Sequence, residues 1–197
     1  MLLLERYLDQ NKNIIQFNIK GLSMFGFEKK KAPLYTLLQP LEESYTFINE
    51  KLSKYMEMSG LSLDNLSDGN ILKFYIEPRV FSYVILIWGV NASRLDKSEK
   101  QFLCSSITKV IGQKISSFSE DDGANYLRDG LLAYGRESQN GHSDQLTRRI
   151  TFKFMAEMEV NPFDYMATFG AISTNLTSLI EFTAGFLNEQ QKQFKFV

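Results

Sequence analysis

Acid–base chemistry needs a histidine or paired carboxylates held face to face, and this chain has one histidine, His142, in the run Gly141-His142-Ser143-Asp144. Base, hydroxyl and carboxylate stand side by side there, but a catalytic triad needs members that converge in space, and consecutive residues do not. The surrounding stretch, Gly135 to Asp144, is rich in Gly, Ser, Asn and Asp and reads as a surface loop with a solvated histidine. Cys104 has no histidine near it in sequence and lies one residue from an apolar helical stripe. It reads as a small buried thiol. No catalytic residue is assigned.

Metal chemistry finds no ligand set in the sequence. A single cysteine and the absence of Cys-x-x-Cys and Glu-x-x-His leave neither a zinc nor a diiron pattern, so no metal and no cofactor is expected. Neither Gly-x-Gly-x-x-Gly nor the Walker pattern is present to cradle phosphate. Glu157, Glu159, Asp164 and Glu181 bring acid to the last part of the chain, but residues two apart on a helix face different ways. Glu181 interrupts an apolar run and is the carboxylate to inspect for a shifted pKa. The plainer alternative has it facing water or paired with Arg148 or Arg149. Glu181, Tyr126, Tyr134 and Arg148 together form the candidate polar lining of an interhelical pocket, should the protein bind a small molecule or be an enzyme.

Two binding surfaces can be weighed in the same way. Ile107 to Ser119 has Gly112 between two short helical patterns, as a helix-turn-helix does. Glu120, Asp121 and Asp122 follow at once, and the net charge is -1, so phosphate repulsion outweighs Lys109 and Lys114. No nucleic-acid partner is expected. Ser23 to Pro33 (SMFGFEKKKAP) sets Phe25 and Phe27 beside Lys29, Lys30 and Lys31, a candidate membrane contact. Each basic residue near an anionic bilayer contributes only about 1 kcal/mol, which makes three lysines a weak anchor. The preferred reading is a turn whose phenylalanines fold onto the core while the lysines stay wet. Met24 also offers an alternative start for the chain.

The elements that would position these groups follow from periodicity. Leu3, Leu4, Tyr7 and Leu8 share a helical face, Ile14 to Gly21 reads as a short strand, and the start lacks the basic residues and apolar run of a signal peptide. Leu34, Leu38, Leu41, Tyr45, Ile48, Leu52 and Tyr55 define a helix that Gly60 stops, kinked at or beginning at Pro40. Ser62 to Asn70 is a loop, and Ile71 to Ile76 fits a strand or a helical turn. Pro78 suits the first position of a nearly all-apolar helix over 78–91, expected at the centre of the core with Trp88.

Asp96-x-x-Glu99 has capping-box spacing for a helix carrying Leu103, Ile107, Val110 or Ile111, and Ile115. Ser119 and three carboxylates precede a helix with Leu127, Leu131 and Tyr134. Leu146, Ile150, Phe154 and Met158 indicate another helix, against a strand-like alternation over 149–155. Asn161-Pro162 then supplies a cap and first-turn proline for a final helix through 188, carrying Phe163, Met166, Phe169, Ile172, Leu176, Leu179 and Leu187. The polar tail beyond it is expected to fray. A membrane span fails over 71–90, which contains Lys73, Glu77, Pro78 and Arg79, and is disfavoured over 165–187 by its Thr, Ser and Asn content.

These elements predict an all-α fold in one domain over 1–197: an irregular bundle of about six helices around 78–91, with 1–32 as an N-terminal appendage that includes the strand. An α+β fold is the alternative. Aromatic residues at 13% exceed what a small core needs, and with 7 Met they suit an adaptable apolar surface. The expected function is therefore a non-enzymatic protein-interaction module, an adaptor, regulator or secretion-type chaperone. Its partner would be another protein or a second copy in a homodimer. The lone cysteine fits a reducing, cytoplasmic setting.

Overall fold

The computed structural model describes residues 29–58, 60–61, 71–117, 123–139 and 145–197. Among them are six α-helices: α1 (Leu38–Met58), α2 (Ile71–Ala92), α3 (Lys97–Ser116), α4 (Gly123–Gln139), α5 (Leu146–Glu157) and α6 (Met166–Gln193). Two three-residue strands, β1 (Lys30–Ala32) and β2 (Phe194–Phe196), flank them, and a 3-10 turn over Leu34–Leu37 leads into α1. The architecture is an all-α bundle. The predicted helix carrying Leu3, Leu4, Tyr7 and Leu8 and the strand over 14–21 lie outside the described residues.

Helix α2 is the axis of the bundle and packs against each of the other five helices. Every residue from Val80 to Ile87 is buried, as a helix apolar on all sides must be, and Trp88 packs half-buried against the same core. The predicted start at Pro78 is corrected: the helix begins at Ile71 and the buried proline lies inside it, so 71–76 is helical too. A proline there removes one backbone bond and crowds the preceding carbonyls, at about 3 kcal/mol in an ordinary helix. The Arg79 guanidinium donates to the Tyr75 carbonyl in this loosened turn, and Ser82 Oγ donates to Pro78 O at 2.6 Å. Packing on all sides keeps the helix continuous through the proline.

Helix α1 buries Leu41, Tyr45, Ile48 and Leu52 as the periodicity predicts. Pro40 lies in its first turn, where no donor is missed. Gly60, at φ 75°, ends the run in the left-handed conformation that favours glycine, with Leu61 N–H donating to Met56 O at 3.1 Å and Gly60 N–H to Glu57 O at 3.0 Å. The same paired closure ends α5, with Glu159 at φ 57° in the glycine-like position.

The capping box is present: Glu99 N–H donates to Asp96 Oδ1 and Asp96 N–H to Glu99 Oε2, both at 2.8 Å. The backbone bond from Glu99 holds the Asp96 carboxyl below its usual range. Asp96→Ala is expected to lower the melting temperature by about 2–4 °C near neutral pH, the scale of one lost cap in a chain of this size. Calorimetry should show that deficit shrinking in acid, because a carboxylate with a depressed pKa stabilises above its unfolded pKa and ceases to as pH falls through the folded one.

Three boundaries differ from expectation. Residues 135–139, predicted as loop, continue α4, whose last turn is held by Arg149 Nη2 donating to Glu137 O at 2.9 Å. A guanidinium at the carbonyl end of a helix complements its dipole. Asn161-Pro162 does not start α6. Asn161 Oδ1 accepts from Phe163 N–H at 3.1 Å, which closes a turn over 162–165, and α6 begins at Met166. Phe163 and Met166, assigned to the apolar stripe, are exposed. The tail does not fray: α6 runs through Gln193, and β2 pairs in parallel with β1 in the register Lys30↔Phe194, Lys31↔Lys195, Ala32↔Phe196. Phe194 and Phe196 alternate with exposed Lys195, so both rings turn to one side, and Phe196 packs on the core. The ambiguous stretch 149–155 is helical, with Ile150 and Phe154 buried and Phe152 exposed.

Candidate functional site

One carboxylate is folded into the bundle. Glu77 precedes Pro78 on α2, and the Tyr134 hydroxyl donates to its Oε1 from α4. Tyr134 is fully buried, its ring 5.0 Å from that of Phe81, which in turn stacks on Phe154 of α5 at 4.5 Å. Removal from water pushes the Glu77 carboxyl up to about 7; the Tyr134 hydrogen bond opposes this, Glu157 reinforces it, and Lys153 and Lys73 oppose it. Burial and the neighbouring carboxylate hold the Tyr134 phenol well above its ordinary range. Two ion pairs, Lys153 with Glu157 and Lys73 with Glu159, lie around this pair. The arrangement can hold a proton inside the fold near neutrality. The sequence carries one sign of it, a carboxylate immediately before the proline of the most apolar helix.

The predicted pocket residues occupy separate environments. Tyr134 meets Glu77, Tyr126 is half-buried on α4, Arg148 is exposed on α5, and Glu181 is exposed on α6, the water-facing alternative. Cys104 is half-buried on α3, its thiol pushed up by burial. Its carbonyl accepts from Thr108 Oγ1 at 2.5 Å, and that hydroxyl lies 2.7 Å from the Tyr83 hydroxyl. Lys29, Lys30 and Lys31 are exposed, the last two in β1. Phe25, Phe27, His142, Ser119 and the acidic run 120–122 lie outside the described residues. Among the described residues no three His, Cys, Asp or Glu side chains gather where a metal ion could sit. No helix described is long and apolar enough to cross a membrane.

Two contacts join the end of α1 and the starts of α2 and α6. Thr168 Oγ1 donates to Tyr55 O at 3.2 Å, which ties the start of α6 to the last turns of α1. The Lys73 to Glu159 pair ties the start of α2 to the turn before α6. Large apolar side chains of the segments tied here are exposed: Met58 at 81%, Phe163 at 76% and Met166 at 57%, and Leu72 and Tyr75 in the first turns of α2. From Met166 to Ile180, α6 carries no charged residue at all.

Two open grooves lie on the surface described. One, about 350 Å³, is lined by Gln145, Arg148, Arg149, Phe152 and Phe169 between α5 and α6. The other, about 440 Å³, lies along α1 and is acidic, with Glu42, Glu43 and Glu50 beside Phe47. Neither is lined by Glu77 or Tyr134. No family model, no curated protein and no solved structure matches this chain.

Proposed function

We propose that the protein is a cytoplasmic protein-interaction module, of the adaptor, regulator or chaperone kind, that binds a partner protein or a second copy of itself through the apolar end of the bundle. The supporting observation is the exposure of Met58, Phe163 and Met166, with Leu72 and Tyr75, on chain segments that the Thr168–Tyr55 and Lys73–Glu159 contacts bring together. Single exposed apolar residues are ordinary, whereas several large ones gathered on one face mark contact sites. Methionine and phenylalanine are also side chains that interface centres favour and that adapt to different partners.

The test places a photo-crosslinking amino acid at position 163 in cells that make the protein, and at exposed Lys54 as the control. Discrete adducts are expected from position 163 and not from position 54. A homodimer would give a band at twice the 22.7 kDa of the chain. Equal smears from both positions, or no adduct from either, would remove the reading.

A further inference from the structure

The open groove between α5 and α6 is lined by two aromatic side chains, Phe152, 48% exposed on α5, and Phe169, half-buried on α6. Two guanidinium groups, those of Arg148 and Arg149, line it as well. Arg149 is engaged, with Nη2 donating to Glu137 O at 2.9 Å and lying 3.3 Å from Glu137 Oε2. Arg148, one residue earlier, is exposed and makes no ion pair or hydrogen bond to a described residue. On the same helix Lys153 is matched by Glu157, so the excess charge at the groove is the positive one of Arg148. The α6 wall adds no charge, since its first acidic or basic residue is Glu181. Phe169 lies three residues from Met166, about 4.5 Å along the helix, so the groove lies within one turn of exposed Met166.

We propose that this groove docks a peptide segment of a partner protein in which a carboxylate stands beside a large apolar side chain. The carboxylate pairs with Arg148, whose planar fork suits two-point contact, and the apolar anchor seats between Phe152 and Phe169. The segment then continues onto Phe163 and Met166. This rests on the protein-binding reading and adds to it a partner chemistry and a second contact surface.

Selection of a displayed library of random short peptides on the immobilised full chain tests it. Recovered peptides are expected to be enriched in Asp or Glu next to Phe, Leu or Trp. Their affinity should fall at least about tenfold with Arg148→Glu, weaken as salt is raised, and return when the peptide's acid is exchanged for lysine against the same variant. Because Arg148 is exposed, the variant should melt as the parent does, and circular dichroism checks that. Peptides that show no acidic enrichment, or that bind Arg148→Glu unchanged, overturn the groove as their site. If those peptides instead lose affinity with Phe163→Lys, the apolar end still binds protein and only the groove is refuted. Recovery of no binder overturns the groove assignment as well.

Discussion

Taking the protein from pH 5 to pH 8 is expected to lower its unfolding free energy by about 2 kcal/mol, and Glu77→Gln is expected to remove most of that decline. Glu77 has a folded pKa of about 7 against an ordinary value of 4.5. Below the ordinary value both states hold the proton, and the environment that favours the neutral acid contributes in full. Between the two values the unfolded chain ionises while the fold keeps its proton, and each pH unit there subtracts about 1.4 kcal/mol. Above 7 both states are ionised and the decline levels off.

Glutamine is neutral throughout, and its carbonyl can accept the Tyr134 hydroxyl as the carboxyl does. The variant should therefore be the more stable protein at pH 8 and close to its parent at pH 5. Urea unfolding at half-unit steps of pH measures both curves. Parallel curves would mean that the carboxyl is solvated and that its contact with Tyr134 does not exclude water.

Gly89→Ala and Gly185→Ala make the same chemical change in helix interiors and are expected to move stability in opposite directions. An added Cβ at Gly89 would lie 2.5 Å from Thr183 Cβ and 2.8 Å from the Ile180 carbonyl oxygen, where α2 and α6 cross. Thr183 is buried, its hydroxyl without a hydrogen-bond partner in this crossing, and the Ile180 oxygen is main chain. Neither can yield without parting two helices, so the loss should be about 2 kcal/mol or more, exceeding the roughly 1 kcal/mol of helix propensity that alanine brings. At Gly185 nothing lies within 4 Å of the added atom, and only the propensity gain remains. Gly89→Leu should leave too little room for the crossing to form. Equal effects of the two alanines in denaturation experiments would show that the crossing is looser than the structure has it.

Much of the fold was legible because it rests on local rules. Leu41, Tyr45, Ile48 and Leu52 recur at helical spacing and are buried, and the Asp96 cap needs only its own first turn. Pro78 misleads for an equally physical reason. Proline taken by itself favours a helix start, and only the burial of α2 among five neighbours makes an internal one tolerable. Asn161 misled in a similar way, since its side chain can cap a helix or close a turn on Phe163, and the sequence supports both.

The candidate site was less legible. Tyr134 reads from sequence as pocket lining, but its partner Glu77 lies on a different helix and reads there only as a charge that spoils a membrane span. Arg148 is a candidate from sequence, whereas Phe169, which shares its groove, reads as helix pattern and Phe152 as part of a strand-like alternation. Periodicity says which residues lie inward. It does not say which outward residues of two helices end up side by side.

The pairing of Lys30–Ala32 with Phe194–Phe196 also decides how the molecule answers mechanical force. The two strands run parallel, so tension applied through the main chain entering β1 and leaving β2 slides one strand along the other. All the contacts of the clasp resist together, whereas an antiparallel hairpin pulled from its open end gives way one bond at a time. A tether fixed at these two points therefore meets the short ribbon first, and the helices between are shielded until it slips.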